Sequence, residues 1–287
     1  MKKIFLGILI FLSFSAFFFG NIINIKNGEN IQDFIDRAES GDIIYLNNGN
    51  YRGNISVNKP LRIIGSSKEN VIISADSFEI YNTDDVIIEN ITLTSDGTAM
   101  NIIDAGIFIN NIDINTKYNG ISVFTYNNNV SINNVKINGT KELSGKTYLI
   151  KGYGIKVMNY TDVYIQNSHF SAFSNAIIAF SDNGSDINII GNEFSDNVNS
   201  ILLSGNMTSN VFNNSFLLSL NNSILLGGNQ QVNILGNIFY DNAYAVFLAD
   251  QNCGCTNKEF SGSVYGNNNF IYKGKKSNNV LKDLFSN

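Results

Sequence analysis

The chain has 287 residues and a formal net charge of -5, with 44% hydrophobic and 15% charged residues, enough to bury a core in one or two domains. That balance is too apolar for a disordered chain, and an acidic sequence without basic runs excludes a nucleic-acid partner. Its 49 Asn and 41 Ile, against 1 Pro, 1 His and no Trp, depart far from average usage, in the way that repeat architectures and AT-rich genomes both produce.

Lys2 and Lys3 precede an apolar run from Ile4 to Phe19, the basic start and short hydrophobic stretch of a secretory signal. Residues 1–20 therefore read as a signal peptide, with Ser13-Phe14-Ser15 best meeting the small-x-small rule for cleavage. The mature protein is expected to be exported, to the periplasm, the cell surface or the medium. No later apolar run is long enough to span a bilayer, so no transmembrane span is expected in the mature chain. Residues 21–50 read as an N-terminal cap of one helix and a first strand. Asn30 is placed to cap a helix whose Ile31, Phe34, Ile35 and Ala38 share one face.

From residue 51 to 273 the sequence repeats. The segments VIIENITL (86–93), IFINNIDI (107–114), VSINNVKI (130–137), VYIQNSHF (163–170), INIIGNEF (187–194), SNVFNNSF (209–216) and VNILGNIF (232–239) align without gaps. Their fifth slot reads Asn90, Asn111, Asn134, Asn167, Gly191, Asn213 and Gly236. Between them recurs a small residue followed by alternating apolar residues, as in Gly120-Ile121, Ala176-Ile177 and Ser223-Ile224. Apart from two long intervals, the period of about 21 to 24 residues thus holds three short strands, too little chain for helices between parallel strands. A leucine-rich repeat would want Leu and one strand per repeat. A parallel β-helix of about 8 to 10 coils fits, with inward columns of apolar side chains and a helix to plug the open end. Asn90, Asn111, Asn134, Asn167 and Asn213 are then structural, able to hydrogen-bond along the axis as stacked amides do. An insertion, Lys141 to Tyr153, precedes one first strand, and residues 274–287 form a C-terminal tail. Cys253-Gly254-Cys255 suits a strained disulfide, two free thiols or a soft metal.

These features resemble the right-handed parallel β-helix superfamily of pectate lyases, polygalacturonases and NosD-like periplasmic proteins. The segment NIQDFIDRAESGDIIYLNNGNYRGNISVNKPLRIIG (30–65) is similar to that superfamily's usual opening, a short amphipathic helix, Gly-Asp before a strand, then Gly-x-Tyr and Ile-Gly. The resemblance implies an all-β solenoid over residues 24 to about 273 and leaves activity open, because the fold hosts unrelated chemistries. It also implies that a sugar site lies on the outer face of the first strands and the adjoining loops.

Alternation places Asn101, Ser122, Lys156, Ile178, Leu202, Leu225 and Phe247 outward along that face. The run from Ile178 onward is apolar, which suggests an intramolecular cover, with the insertion and the tail as candidates, or a binding strip. Phe124, Ile178, Phe180, Leu202, Leu225 and Phe247 are the candidate binding residues, the three Phe being the outward aromatics able to stack on a ligand. The outward row of the third strands reads Thr92, Asp113, Lys136, His169, Glu193, Ser215, Ile238, which would set Asp113 beside Lys136 and His169 within hydrogen-bond reach of Glu193. Lys156, His169 and Glu193 are the candidate acid–base residues, against a plain reading as solvated charges.

A calcium-dependent pectate lyase needs converging carboxylates and a basic residue, yet Arg37, Arg52 and Arg62 all lie in the cap and first coil. Asn82-Thr83-Asp84-Asp85 superficially resembles polygalacturonase motifs, but the four residues are contiguous and read as a turn. No cofactor is expected. Calcium and copper are the ions the resemblance raises, copper through the NosD-like members with Cys253 and Cys255 as ligands, and the sequence supports neither. The expectation is a non-enzymatic exported protein that binds a polysaccharide, a cell-envelope component or a protein. The alternatives are a polysaccharide lyase or glycoside hydrolase, and a NosD-like metal-handling protein of the envelope.

Overall fold

The computed structural model describes residues 20–126, 128–144, 147–159, 162–249 and 259–271. Over these the chain winds into a parallel β-solenoid of about 10 turns, with one helix. Every inter-strand pairing of the main sheet is parallel, coil upon coil, at the roughly 4.8 Å spacing of hydrogen-bonded strands. The expected alignment of the repeats is the observed register. Val130 lies over Ile107, Val163 over Val130 and Ile187 over Val163. On the first face, Ile121, Ile155, Ile177, Ile201, Ile224 and Val246 follow one another in the same way.

Three short strands per coil are the expectation, but several coils run unbroken through a corner, as in Thr98–Thr116, Asn175–Ile190 and Asn199–Phe212. Left-handed residues make the bends, Asp104 and Asn111 in the first, Gly184 in the second and Gly205 in the third, and the register between the last two shifts at the bend, between Ser181 and Ser185. At the next corner the fifth slot is left-handed throughout, with φ of 58° at Asn90, 52° at Asn111 and Asn134, 50° at Asn167, 68° at Gly191, 56° at Asn213 and 69° at Gly236. Asn and Gly share the slot because they are the residues that tolerate this conformation at least cost. The amide ladder is shorter than the column. Asn111 donates to Asn90 (2.7 Å) and Asn134 to Asn111 (3.1 Å), whereas Asn167 donates to Asn133 instead (2.9 Å).

One residue further on, the core changes character. Ile91, Ile112 and Val135 are buried there in the first coils, followed by Ser168, Asn192, Asn214 and Asn237. Each of these Asn side chains accepts from the backbone N–H one coil below, Ser168 to Asn192 (2.9 Å), Asn192 to Asn214 (2.8 Å) and Asn214 to Asn237 (2.8 Å). The Nδ2 of each returns a bond to a carbonyl, Asn192 to Ile165, Asn214 to Ile189 and Asn237 to Val211, so the amides of this ladder are satisfied. Beside this ladder Phe170, Phe194, Phe216 and Phe239 stack face to face, with centroids 5.3, 5.0 and 4.8 Å apart.

The helix, α1 (Ile31–Arg37), closes the first end. Asn30 caps it by accepting from the Gln32 N–H (3.1 Å), and Ile31, Ile35 and Ala38 are buried against the core with Phe34 packed beside them. At the other end of the helix Lys59 donates to the carbonyls of Ile35, Asp36 and Ala38 at 3.1, 3.3 and 2.8 Å, a cation on the negative pole of the helix. Gln32 accepts from Ser56 N–H (2.8 Å) and donates to Ser56 C=O (3.2 Å), filling both backbone groups of that residue on the end strand Ile55–Val57. Among the described residues no helix is long and apolar enough to cross a membrane.

Candidate functional site

The outward residues at the ends of the third strands form one column. Arg52, Ser74, Thr94, Asn115, Asn138, Ser171 and Ser195 sit over one another on successive coils. In the first half of the solenoid the turn that follows is wide. Ser95 Oγ accepts from Gly97 N–H (3.1 Å) and Thr116 Oγ1 from Tyr118 N–H (3.2 Å), while Thr116 Oγ1 donates to the Gly97 carbonyl (2.9 Å) and Thr140 Oγ1 to the Thr116 carbonyl (3.1 Å). These hydroxyl-closed turns stand away from the strands. From Ala172 onward the corner residue is left-handed instead, with φ of 63° there, 57° at Asp196 and Leu218, and 51° at Asp241.

The wide turns and the column enclose a groove of about 640 Å³, lined by Arg52, Asp76, Thr94, Asp96, Asn115, Lys117 and Asn138 among others. Ser74 and Thr94 hydroxyls lie 2.8 Å apart, and Asn138 donates to Asn115 at 3.0 Å. Lys117 and Asp96 pair at 2.9 Å on the rim, and the hydrogen bond to Asp96 holds the Lys117 ammonium above the ordinary lysine range. The hairpin of Lys141–Ser144 and Thr147–Ile150 rises directly after Thr140, presenting Leu143 and Tyr148 outward. Lys151 lies 5.8 Å from the Tyr118 ring, beside the hairpin's base. The arrangement offers hydroxyls, amides and paired charges on an open, solvated surface, the chemistry of hydrogen-bonded recognition.

None of the groove residues stands out in the sequence as a candidate. The signal is present, two positions beyond the Thr92, Asp113, Lys136 row, where the same alternation reads Ser74, Thr94, Asn115, Asn138. What it lacks is any mark of concavity, which depends on turn geometry rather than on residue type.

Lys156 and Phe180 come together in a smaller hollow of about 320 Å³ on the first face, with Met158, Asn159, Ser181, Asp182, Ser204 and Gly205. His169 and Glu193 stack on the third face, so the three acid–base candidates do not converge. His169 Nδ1 and Glu193 Oε1 are 3.6 Å apart, beyond a good hydrogen bond. The expected Asp113–Lys136 pair is replaced by Asp113–Lys68 at 2.9 Å. Lys68 reaches Asp113 because Thr92 Oγ1 donates to its carbonyl (2.7 Å) and anchors that loop against the strand. Ile178, Leu202, Leu225 and Phe247 are in register on the first face, but Leu202 is 8% and Leu225 1% exposed, so these two offer no surface to a ligand. Phe124 meets Tyr126 edge-on at 5.2 Å, and Phe247 meets Tyr244 at 6.0 Å. Asp162 stacks on Asp186, and burial first and that neighbour second push the Asp162 carboxyl above the ordinary aspartate range. Among the described residues no three His, Cys, Asp or Glu side chains group as a metal ion would require. Cys253 and Cys255 lie outside the described residues.

Comparison with known proteins agrees with this architecture. The solved structure of pectate lyase C from Erwinia chrysanthemi superposes with a TM-score of 0.53 at 13% identity, over 90% of this chain and 81% of that one. The A-module of an Azotobacter vinelandii mannuronan C-5 epimerase gives 0.50 at 13% identity, over 94% and 98%. The catalytic domain of a GH87 α-1,3-glucanase bound to nigerose gives 0.49 at 14% identity, and this chain, over 89% of its own length, spans 66% of that domain. At such identities the likeness is one of fold. A comparison with curated proteins returns no match. The model of the right-handed β-helix region matches residues 127–285, more than half of the sequence, and the chain belongs to that right-handed β-helix family.

Proposed function

We propose that this is an exported protein that binds a polysaccharide in the groove beside the third strands, without cleaving it. The observation that carries the reading is the groove itself, about 640 Å³ of open surface with a hydroxyl or amide on successive coils. Sugars are recognised by such planar amides and hydroxyls, which exchange hydrogen bonds with a ligand as readily as with water. Two solved structures of like fold are named for pectate and mannuronan, which is consistent with a polysaccharide ligand. Of the two carboxylates in the groove, Asp76 and Asp96, the second pairs with Lys117 on the rim, an arrangement that favours binding over a hydrolase's free acid–base pair. The basic start and apolar run of residues 1–20 support export.

A glycan array read for both binding and loss of bound sugar tests this. Retention of a glycan without product is the expected result, with Asn115→Ala weakening it by about two- to tenfold, the worth of one hydrogen bond. Time-dependent release of product would establish a lyase or hydrolase, and Lys156, His169 and Glu193 would be the next substitutions. Silence across the array would overturn polysaccharide binding.

A further inference from the structure

The groove repeats along one direction. Ser74, Thr94, Asn115 and Asn138 recur at the coil spacing, roughly 4.8 Å, which is close to the length of one pyranose unit in an extended chain. Each coil presents one outward hydroxyl or amide in this column. Asn115 accepts from Asn138 through Oδ1, which leaves its Nδ2 group to donate outward. In the Ser74–Thr94 pair one hydroxyl proton lies between the two oxygens and Thr94 Oγ1 also donates to the Ile73 carbonyl (3.5 Å), so the pair offers lone pairs that accept from a ligand.

The charges of the lining cancel, Arg52 and Lys117 against Asp76 and Asp96. The chain as a whole carries -5. A polymer with one carboxylate per sugar would bring several negative charges to a groove without net positive charge on an acidic protein, an arrangement that Coulomb energy disfavours.

We infer that the groove takes an uncharged, extended polysaccharide lying parallel to the solenoid axis, one sugar unit per coil from Ser74 to Asn138. This rests on the polysaccharide-binding reading above and adds to it the charge class, the direction and the length of the ligand.

Calorimetric titration of the protein with β-1,4-linked gluco- and manno-oligosaccharides, from disaccharide to heptasaccharide, tests it alongside oligogalacturonates of the same lengths. Affinity for one neutral series should rise with each unit up to the tetra- or pentasaccharide and then level off. It should hardly change between low and high salt. Thr94→Val combined with Asn115→Leu should lower the plateau affinity by about five- to a hundredfold, the worth of two hydrogen bonds. Tighter binding of the oligogalacturonates, lost on Arg52→Ala, would overturn the neutral ligand while leaving the groove a saccharide site. Affinity that saturates at the disaccharide would overturn the axial track. No binding in either series would overturn both this inference and the reading beneath it. The length series uses the unaltered protein and does not depend on the variants folding.

Discussion

Asp162 shows what stacking does to a titratable group. Its partner one coil on is Asp186, and a half-buried position between the coils adds a desolvation cost to the like charge. With its folded pKa raised, the carboxyl binds a proton more tightly in the folded chain than in the unfolded one. Stability at this site is therefore full at acid pH and is lost as pH rises through the raised folded value. Asp162→Asn should raise the melting temperature at pH 7. That gain should shrink as pH falls through the raised folded value and vanish below the ordinary aspartate value, about 3.9, which melting curves of both proteins across pH would show. The neighbour pairs here were legible in the sequence, because alternation and period fix which residues stack. Which charges join was not. Lys68 comes from a loop and takes Asp113 away from Lys136, and a flexible side chain's choice of partner leaves no trace in a repeat pattern.

At the scale of the element, the corner column selects Asn for its backbone conformation as well as for stacked amides. Asn111 is both left-handed and a ladder member, donating to Asn90 and accepting from Asn134. Asn111→Gly keeps the conformation and removes the ladder, whereas Asn111→Ala removes the ladder and strains the backbone. The alanine variant should be less stable than the glycine variant by about 1 kcal/mol, a left-handed residue costing roughly 1–2 kcal/mol against the greater unfolded freedom of glycine. Equal urea midpoints for the two would assign the column to the ladder alone. The repeat marks this slot plainly, since Asn and Gly alternate there. The buried ladder at Asn192, Asn214 and Asn237 follows immediately in sequence, but a buried polar column reads as just another Asn until its backbone partners are placed. The groove was missed for a related reason, its width coming from the hydroxyl-closed turns at Ser95 and Thr116.

For the whole molecule, the repeat makes the coil a unit of construction. Asn192 and Asn214 occupy the same place 22 residues apart, so removing residues 192–213 joins Gly191 to Asn214 and sets Ser168 beneath Asn214. Phe170 then faces Phe216 as it now faces Phe194. Because stability in such arrays is nearly a sum over neighbours, this deletion should still melt cooperatively and keep the groove, which lies entirely before it. A deletion one residue shorter turns every side chain at the junction to the opposite face and should not fold. Circular dichroism and oligosaccharide titration of the two deletions would separate these outcomes, and equal behaviour would mean that the stacked columns do not set the register.

Gln32 gives the solenoid a beginning in time as well as in space. Its carboxamide stands in for a missing peptide group at Ser56, so that point of the end coil's edge is satisfied by a side chain encoded only 24 residues earlier. Synthesis delivers this end first, at about 5–20 residues per second, so a coil's worth of chain follows every few seconds. Each new coil meets a finished surface on one side and needs contacts only with the coil before it. The molecule is thus suited to fold in the order in which it is translated, with its growing edge always at the ribosome's side.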